Sequence, residues 1–134
     1  MHWQIQKGGG FKYWKAEQQG KALAVAVVIG GDPILYLAAV APLPEGIDEL
    51  AFAGFLRGRR VALAPGLNGS SAPAEAEIVL EGVVPPHERF PEGPFGDHFG
   101  HYSHPAPFPM LRIQRVTRRA SPIYRPCCRG SATA

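Results

Sequence analysis

The sequence is poor in the features that mark secreted and membrane-spanning proteins. Its two cysteines, Cys127 and Cys128, are adjacent, and neighbouring cysteines bridge each other only with strain. We therefore predict no disulfide framework and expect a reducing, cytoplasmic setting. The longest apolar run, residues 22–29, is too short to cross a bilayer, and the aromatic, polar start is unlike a signal peptide.

Charge is also scarce, at 19% of the 134 residues, and the formal net charge is only +3. Much of the basic excess comes late, at Arg112, Arg115, Arg118, Arg119, Arg125 and Arg129. No aromatic residues alternate with these arginines to stack on bases. We therefore expect an exposed strand face followed by a tail, and no nucleic-acid partner.

What the chain does contain is 46% hydrophobic residues, 16 glycines and 14 prolines. The hydrophobic content and the length fit a single globular domain, and the glycines and prolines predict short elements joined by many turns. Strands are predicted over residues 1–6, 22–29, 60–64, 76–84 and 110–118. Helices are predicted over residues 11–19, 33–40 and 47–58.

For two of these strands, the sequence also predicts how far each face is buried. The continuous apolar run at 22–29 predicts a strand buried on both faces, and the alternation at 110–118 predicts a half-buried strand. Residues 65–74, 85–98 and 100–109 are predicted to be loops, and residues from 121 onward a disordered tail. Several strands with two or three helices indicate the α+β class.

The most informative stretch runs from Glu92 to His98, with the sequence Glu-Gly-Pro-Phe-Gly-Asp-His. Gly93, Pro94 and Gly96 favour a tight turn, which can aim Glu92 and Asp97 into one small volume. Two carboxylates in a partly desolvated site cannot both ionise cheaply, so one tends to keep its proton. Such a pair suits general acid/base work, although a solvated surface loop is the simpler interpretation of the spacing alone.

This motif, preceded by Glu-Ile-Val-Leu-Glu-Gly at residues 77–82, resembles the UbiD family of decarboxylases. The opening Met-His-Trp-Gln-Ile-Gln-Lys-Gly-Gly-Gly and the segment Ile-Asp-Glu-Leu-Ala-Phe-Ala-Gly at residues 47–54 are also similar to family segments. The four blocks occur in the family's order and cover about residues 1–124. They correspond to the middle part of a much longer family chain.

The resemblance implies a carboxy-lyase that uses prenylated FMN and a divalent metal such as manganese or magnesium. It also implies a split β-barrel of the flavin-reductase type, here a partial domain over residues 1–120 with an aberrant tail at 121–134. Glu92 and Asp97 match the two catalytic acids, and the proton donor falls on either. The residues that align with flavin contacts are His2, Trp3, Gln4, Lys7 and Gly8.

Glu49 aligns with the family's metal-binding glutamate, although a glutamate at a helix start also interacts favourably with the helix dipole. Gln6 stands where the family usually has a metal-binding histidine, so we expect a weaker metal site. His98, His101 and His104 recur every third residue, but Pro105, Pro107 and Pro109 argue against one helical face. We therefore expect exposed histidines there and no histidine-only metal site.

The sequence departs from the family pattern at residues 65–74 and after Tyr124, and the family's catalytic arginine lies upstream of Met1. Two functions follow as alternatives. One is non-oxidative decarboxylation of an aromatic or α,β-unsaturated acid, of the 4-hydroxybenzoate type, by a truncated chain. The other is a flavin-binding module, or an inactive remnant, without turnover. The expected partners are the acid substrate and either a second copy of the chain or a complementing fragment, with no membrane span.

Overall fold

The computed structural model describes residues 8–44, 46–96 and 100–124. In the described part, the three helices lie in the first half of the chain, and six of the seven strands follow them. The helices are α1 (Gly9–Gln18), α2 (Pro33–Val40) and α3 (Glu49–Arg57). The strands are β1 (Leu23–Ile29), β2 (Leu63–Pro65), β3 (Ser71–Pro73), β4 (Ile78–Val84), β5 (Arg89–Glu92), β6 (Ala106–Pro109) and β7 (Arg112–Arg118). No helix within the described ranges is long and apolar enough to cross a membrane.

The helix boundaries follow from local capping chemistry. The Asp32 side chain accepts a hydrogen bond from the Ile34 N–H at 3.0 Å, and a proline opens α2 behind it. Asp48 caps α3 in the same way, accepting from the Ala51 N–H at 2.8 Å. Gly58 ends α3 in the left-handed conformation, with φ 70°. The predicted positions of α2 and α3 are confirmed by these caps.

The strands form a three-stranded sheet in the order β1-β4-β7 and two antiparallel hairpins. In the first hairpin, β2 pairs with β3 so that Ala64 lies opposite Ala72. In the second, β5 pairs with β6 so that Phe90 lies opposite Phe108 and Glu92 opposite Ala106. This mixture of helices with antiparallel pairs agrees with the predicted α+β class.

Three strands correct the sequence-based predictions. Residues 65–74, predicted to be a loop, contain a 3₁₀ turn (Leu67–Gly69) and β3. The predicted loops at 85–98 and 100–109 contain β5 and β6. The prolines argued against these strands, because proline has no backbone N–H to donate. A proline can still occupy an edge strand where its nitrogen faces no hydrogen-bond acceptor. In this hairpin Pro91 lies directly opposite Pro107.

Two predicted burial patterns are wrong. Every residue of β1 is half-buried, whereas the sequence predicted burial on both faces. Every residue of β7 is exposed, whereas the sequence predicted one buried face. Sequence periodicity indicates which residues share one face of a strand. How far that face is buried depends on the neighbouring elements that pack against it. The predicted strand at residues 1–6 and most of the predicted tail lie outside the described residues.

Packing divides the chain into two compact units. The first contains Gly82–Gln114 and, among the described residues, 8–25, and its buried side chains include Tyr13 and Val84. The second contains Ala26–Glu81 and Arg115–Tyr124, and its buried residues include Ala38, Ala53 and Ala72. In the second unit α2 packs against α3.

Candidate active site

The candidate acid Glu92 is the last residue of β5, and it is half-buried. Its backbone is fixed by the β5–β6 pairing, which places it opposite Ala106. The chain then turns through Gly93, whose φ of 107° is one that only glycine adopts without strain. The predicted turn after Glu92 is therefore present, and it starts from a strand and not from a loop.

The turn is held by Ser103, which lies three residues before β6. The backbone N–H of Phe95 donates to the Ser103 hydroxyl at 3.1 Å, and the Ser103 N–H donates to the Phe95 carbonyl at 2.9 Å. One residue further on each side, Gly96 and Tyr102 form an antiparallel bridge. The segment from Glu92 to Gly96 is thus fixed at both ends. Asp97 and His98 follow directly, and both lie outside the described residues.

A charged cluster ties β5 to α1. Arg89, the first residue of β5, donates from Nη2 to the two Glu17 carboxylate oxygens at 2.8 and 3.0 Å. Its Nη1 donates to the Tyr13 hydroxyl at 2.6 Å, and that hydroxyl donates to Glu17 at 2.6 Å. The guanidinium also lies 5.1 Å from the centre of the Tyr13 ring. The strand that ends at Glu92 is therefore anchored at its start.

The cluster shifts the titration of its members. Burial alone would raise the pKa of Glu17, but hydrogen bonds from Tyr13, the His87 N–H and Arg89 outweigh it and lower that pKa to about 2. Burial, together with the bond to Glu17, raises the pKa of the Tyr13 hydroxyl. Glu17 is thus an anion at neutral pH, and its charge is balanced by Arg89.

Gly8 lies at the N-terminus of α1, where the first backbone N–H groups have no partner within the helix. No described side chain caps this end, its first turn contains no acidic residue, and a side chain at Gly8 would meet no described atom within 4 Å. Backbone N–H groups at the positive end of a helix are a common binding site for phosphate. The predicted flavin contacts His2, Trp3, Gln4 and Lys7 lie outside the described residues.

Glu49 begins α3 in the second unit and is exposed. Among the described residues, no group of three or more histidine, cysteine, aspartate or glutamate side chains could hold a metal ion. The described histidines at 101 and 104 therefore belong to no such cluster. Gln6 lies outside the described residues. For the described part, Glu49 is a single oxygen donor at a helix start.

Sequence reasoning missed two features of this region. Ser103 holds the turn through the register of the β5–β6 hairpin, which was predicted to be irregular. Glu17 and Arg89 meet although they are 72 positions apart, and nothing local to either residue indicates the pairing. The hairpin could have been found from the alternation of phenylalanine and proline in both segments. The ion pair has no signal in the sequence.

Comparisons with known proteins identify the family. The model of the UbiD family, described as the 3-octaprenyl-4-hydroxybenzoate carboxy-lyase Rift-related domain, matches residues 1–132. The chain therefore belongs to the UbiD family, and the resemblance seen in its motifs is confirmed.

Solved structures agree. The UbiD-class enzyme HmfF from Pelotomaculum thermopropionicum, in complex with FMN, is 35% identical over 91% of this chain, with a TM-score of 0.86. An evolved dimeric form of HmfF in complex with prFMN is 38% identical over 84%, with a TM-score of 0.80. Apo 3,4-dihydroxybenzoic acid decarboxylase (AroY) from Klebsiella pneumoniae is 32% identical over 92%, with a TM-score of 0.80. The chain spans only 28%, 26% and 28% of their respective lengths.

Proposed function

We propose that this chain provides the acid-bearing and flavin-binding part of a prenylated-FMN-dependent decarboxylase. The reaction would be the non-oxidative loss of CO₂ from an aromatic or α,β-unsaturated carboxylic acid. The observation that carries the proposal is the position of Glu92, half-buried at the end of a strand anchored by the Glu17–Arg89 pair and followed by a clamped turn. The family membership and the flavin complexes of HmfF support it.

The flavin would be held by residues of the first unit. The open N-terminus of α1 at Gly8 fits a phosphate group, and His2, Trp3, Gln4 and Lys7 would contact the rest of the cofactor. Bound there, prenylated FMN would supply an electron sink for the carbon that loses CO₂. The split-barrel architecture inferred from the resemblance belongs to the same proposal.

Glu92 and Asp97 would handle the proton. Decarboxylation replaces a C–CO₂⁻ bond by a C–H bond, so one proton must be delivered for each CO₂ released. A carboxylic acid that keeps its proton beside a second, ionised carboxylate can deliver it to the carbon. We assign this role to the pair, with the donor on either residue. The fixed backbone of Glu92 restricts where its carboxyl can point, which favours productive orientation.

The proposal includes a divalent metal. Glu49 would be a ligand for manganese or magnesium, both of which prefer oxygen donors. Among the described residues, Glu49 belongs to no group of three or more histidine, cysteine, aspartate or glutamate side chains that could hold a metal ion. No step of the proposed reaction is therefore derived through a metal.

The second candidate is a flavin-binding module without turnover, which the flavin complexes of HmfF also support. The experiment that separates the two uses the chain produced together with a source of prenylated FMN. A visible absorption spectrum reports bound flavin, and CO₂ release from a panel of aryl and unsaturated acids reports turnover. The enzyme proposal predicts both, with turnover lost and flavin retained in Glu92→Gln. The module alternative predicts flavin without CO₂, and a colourless protein would contradict both.

A further inference from the structure

A second cluster of charges lies in the second unit, around the nearly buried carboxylate of Glu81 (2% exposed). Its Oε1 accepts from the Leu67 N–H at 2.7 Å and from the Ser70 hydroxyl at 3.3 Å. Its Oε2 accepts from Arg115 Nε at 2.6 Å. A Cβ at Gly66 would overlap the carboxylate, so glycine is what allows the backbone to pass there. Because both carboxylate oxygens of Glu81 already accept hydrogen bonds, the carboxylate has little capacity to bind a further cation.

Arg115 is therefore oriented by a fixed partner. Its Nε and Nη2 both lie 2.6 Å from Glu81 Oε2, while its side chain remains 44% exposed. A guanidinium presents five donors in a rigid fork, so the edge turned away from Glu81 can still donate hydrogen bonds. A cation held in this way presents those donors with little loss of side-chain entropy.

Arg118 adds a charge that no described carboxylate balances. Its Nη1 donates only weakly, to the carbonyls of Arg119 and Ala120, both at 3.3 Å. Arg119, by contrast, pairs with Glu77 at 3.1 Å. Three arginines thus meet two glutamates in the described residues of this region, which leaves an excess of one positive charge.

These arginines line one side of an open cleft of about 270 Å³, which we call the arginine cleft. Its other walls come from the β2–β3 hairpin and from β4. They are mostly small and apolar, including Ala64, Pro65, Ala72 and Val79, and they also contain Glu81, whose charge Arg115 balances. The volume is just below the range of roughly 300 to 1,000 Å³ typical of sites for drug-sized molecules, so the cleft suits a smaller ligand. An apolar wall facing a cationic edge fits a ligand with a small apolar body and one anionic group.

We propose that the arginine cleft binds a small organic carboxylate. The carboxylate would accept charge-assisted hydrogen bonds from Arg115 and Arg118, and the body of the ligand would lie against the alanine and proline wall. Inorganic phosphate would use the arginines but would gain nothing from the apolar wall. Neither Glu92 nor Glu49 lines this cleft, so the proposal stands apart from the decarboxylase assignment.

The test is a titration of the full chain, labelled with ¹⁵N, with sodium benzoate and separately with inorganic phosphate, at constant ionic strength. We expect benzoate to produce saturable shifts in the Nε–H signals of Arg115 and Arg118, at lower concentration than phosphate does. Arg118→Gln should weaken benzoate binding about tenfold, because a hydrogen bond to a charged group is lost. Arg118→Lys keeps the charge and should recover part of the affinity.

Arg60→Gln is the matched control, because Arg60 is exposed and does not line the cleft. It removes the same charge and should leave the benzoate affinity unchanged. The proposal is overturned by the absence of saturable benzoate shifts, by phosphate binding as tightly as benzoate, or by equal losses in the Arg60 and Arg118 variants. Neither flavin nor turnover enters the measurement, so failure of the decarboxylase proposal would leave this result unaffected.

Discussion

Arg89 and Glu17 form a two-pronged ion pair across 72 positions of sequence, with Nη2 lying 2.8 and 3.0 Å from the two carboxylate oxygens. The side chain of Glu17 is only 11% exposed. A carboxylate removed from water is costly unless it is paired and hydrogen-bonded, and Glu17 is both. The pair therefore contributes to stability while it fixes the strand that ends at Glu92.

Replacing Glu17 tests this directly. The folded-state pKa of about 2 lies below the ordinary value of 4.5, so the ionised form is stabilised in the folded protein. Glu17→Gln should reduce the free energy of unfolding at pH 7 by about 2 to 3 kcal/mol. The contribution is fully present above pH 4.5 and is lost as the pH falls through about 2. Urea unfolding at several pH values should therefore show the wild-type advantage shrinking as the pH falls below 4.5.

Glu88 provides the matched control for that experiment. It pairs with Arg112 through two hydrogen bonds of 2.8 and 2.7 Å, but the two side chains are 36% and 57% exposed. Exposed pairs are screened by solvent, so Glu88→Gln should cost less than about 1 kcal/mol. Equal losses in the two variants would show that burial does not set the strength of the Glu17 pair.

Gly30 should tolerate no side chain. It has φ 77°, and an added Cβ would lie 2.6 Å from the Cβ and Cγ of Glu77, which pairs with Arg119. Gly30→Ala should cost about 3 kcal/mol, combining backbone strain with overpacking. Gly58 has a similar φ of 70° but open space around it, so Gly58→Ala should cost only about 1 kcal/mol. Thermal unfolding of both variants compares the two costs, and equal values would rule out the contact with Glu77 as a cause.

Capping chemistry explains why α2 and α3 could be predicted from the sequence. Asp32 before Pro33, and Asp48 before an apolar stripe, act on neighbours two or three residues away, so the signal is contained in the local sequence. The β5–β6 hairpin depends on pairing between segments about fifteen residues apart, and its prolines argued against strands although they alternate with phenylalanine. Exposure of β7 depends on what packs against it, which periodicity does not report.

In the candidate site too, features with a local sequence signal could be predicted and features set by long-range contacts could not. Glu92 could be selected as a candidate because its motif combines two acids with turn residues, and the family resemblance supplied its proposed role. The anchors of Glu92 could not be identified, because Ser103 and Arg89 act through hairpin register and a long-range ion pair. Residues that carry chemistry leave a local signature in the sequence, whereas the residues that position them leave one only in the fold.

Ser103 should control the order of the turn that follows Glu92. Its hydroxyl accepts the hydrogen bond of the Phe95 N–H, so Ser103→Ala should speed amide hydrogen exchange at Phe95 by about tenfold. Ser103→Thr keeps the hydroxyl and should restore slow exchange. An unchanged Phe95 rate in Ser103→Ala would show that the β5–β6 pairing alone holds the turn.

We expect the two adjacent acids at the start of α3 to have different roles, Asp48 as a helix cap and Glu49 as a metal ligand. Asp48 accepts the Ala51 N–H bond, so Asp48→Ala should cost about 1 kcal/mol in urea unfolding, whatever the metal content. Glu49 is exposed in the first turn, where its interaction with the helix dipole contributes less than about 1 kcal/mol. If Glu49 binds a metal, manganese should raise the stability of the wild type and of Asp48→Ala, but not of Glu49→Gln. Stabilisation by manganese that persists in Glu49→Gln would show that Glu49 is not a metal ligand. If manganese does not stabilise the wild type at all, the role of Glu49 is limited to its interaction with the helix dipole.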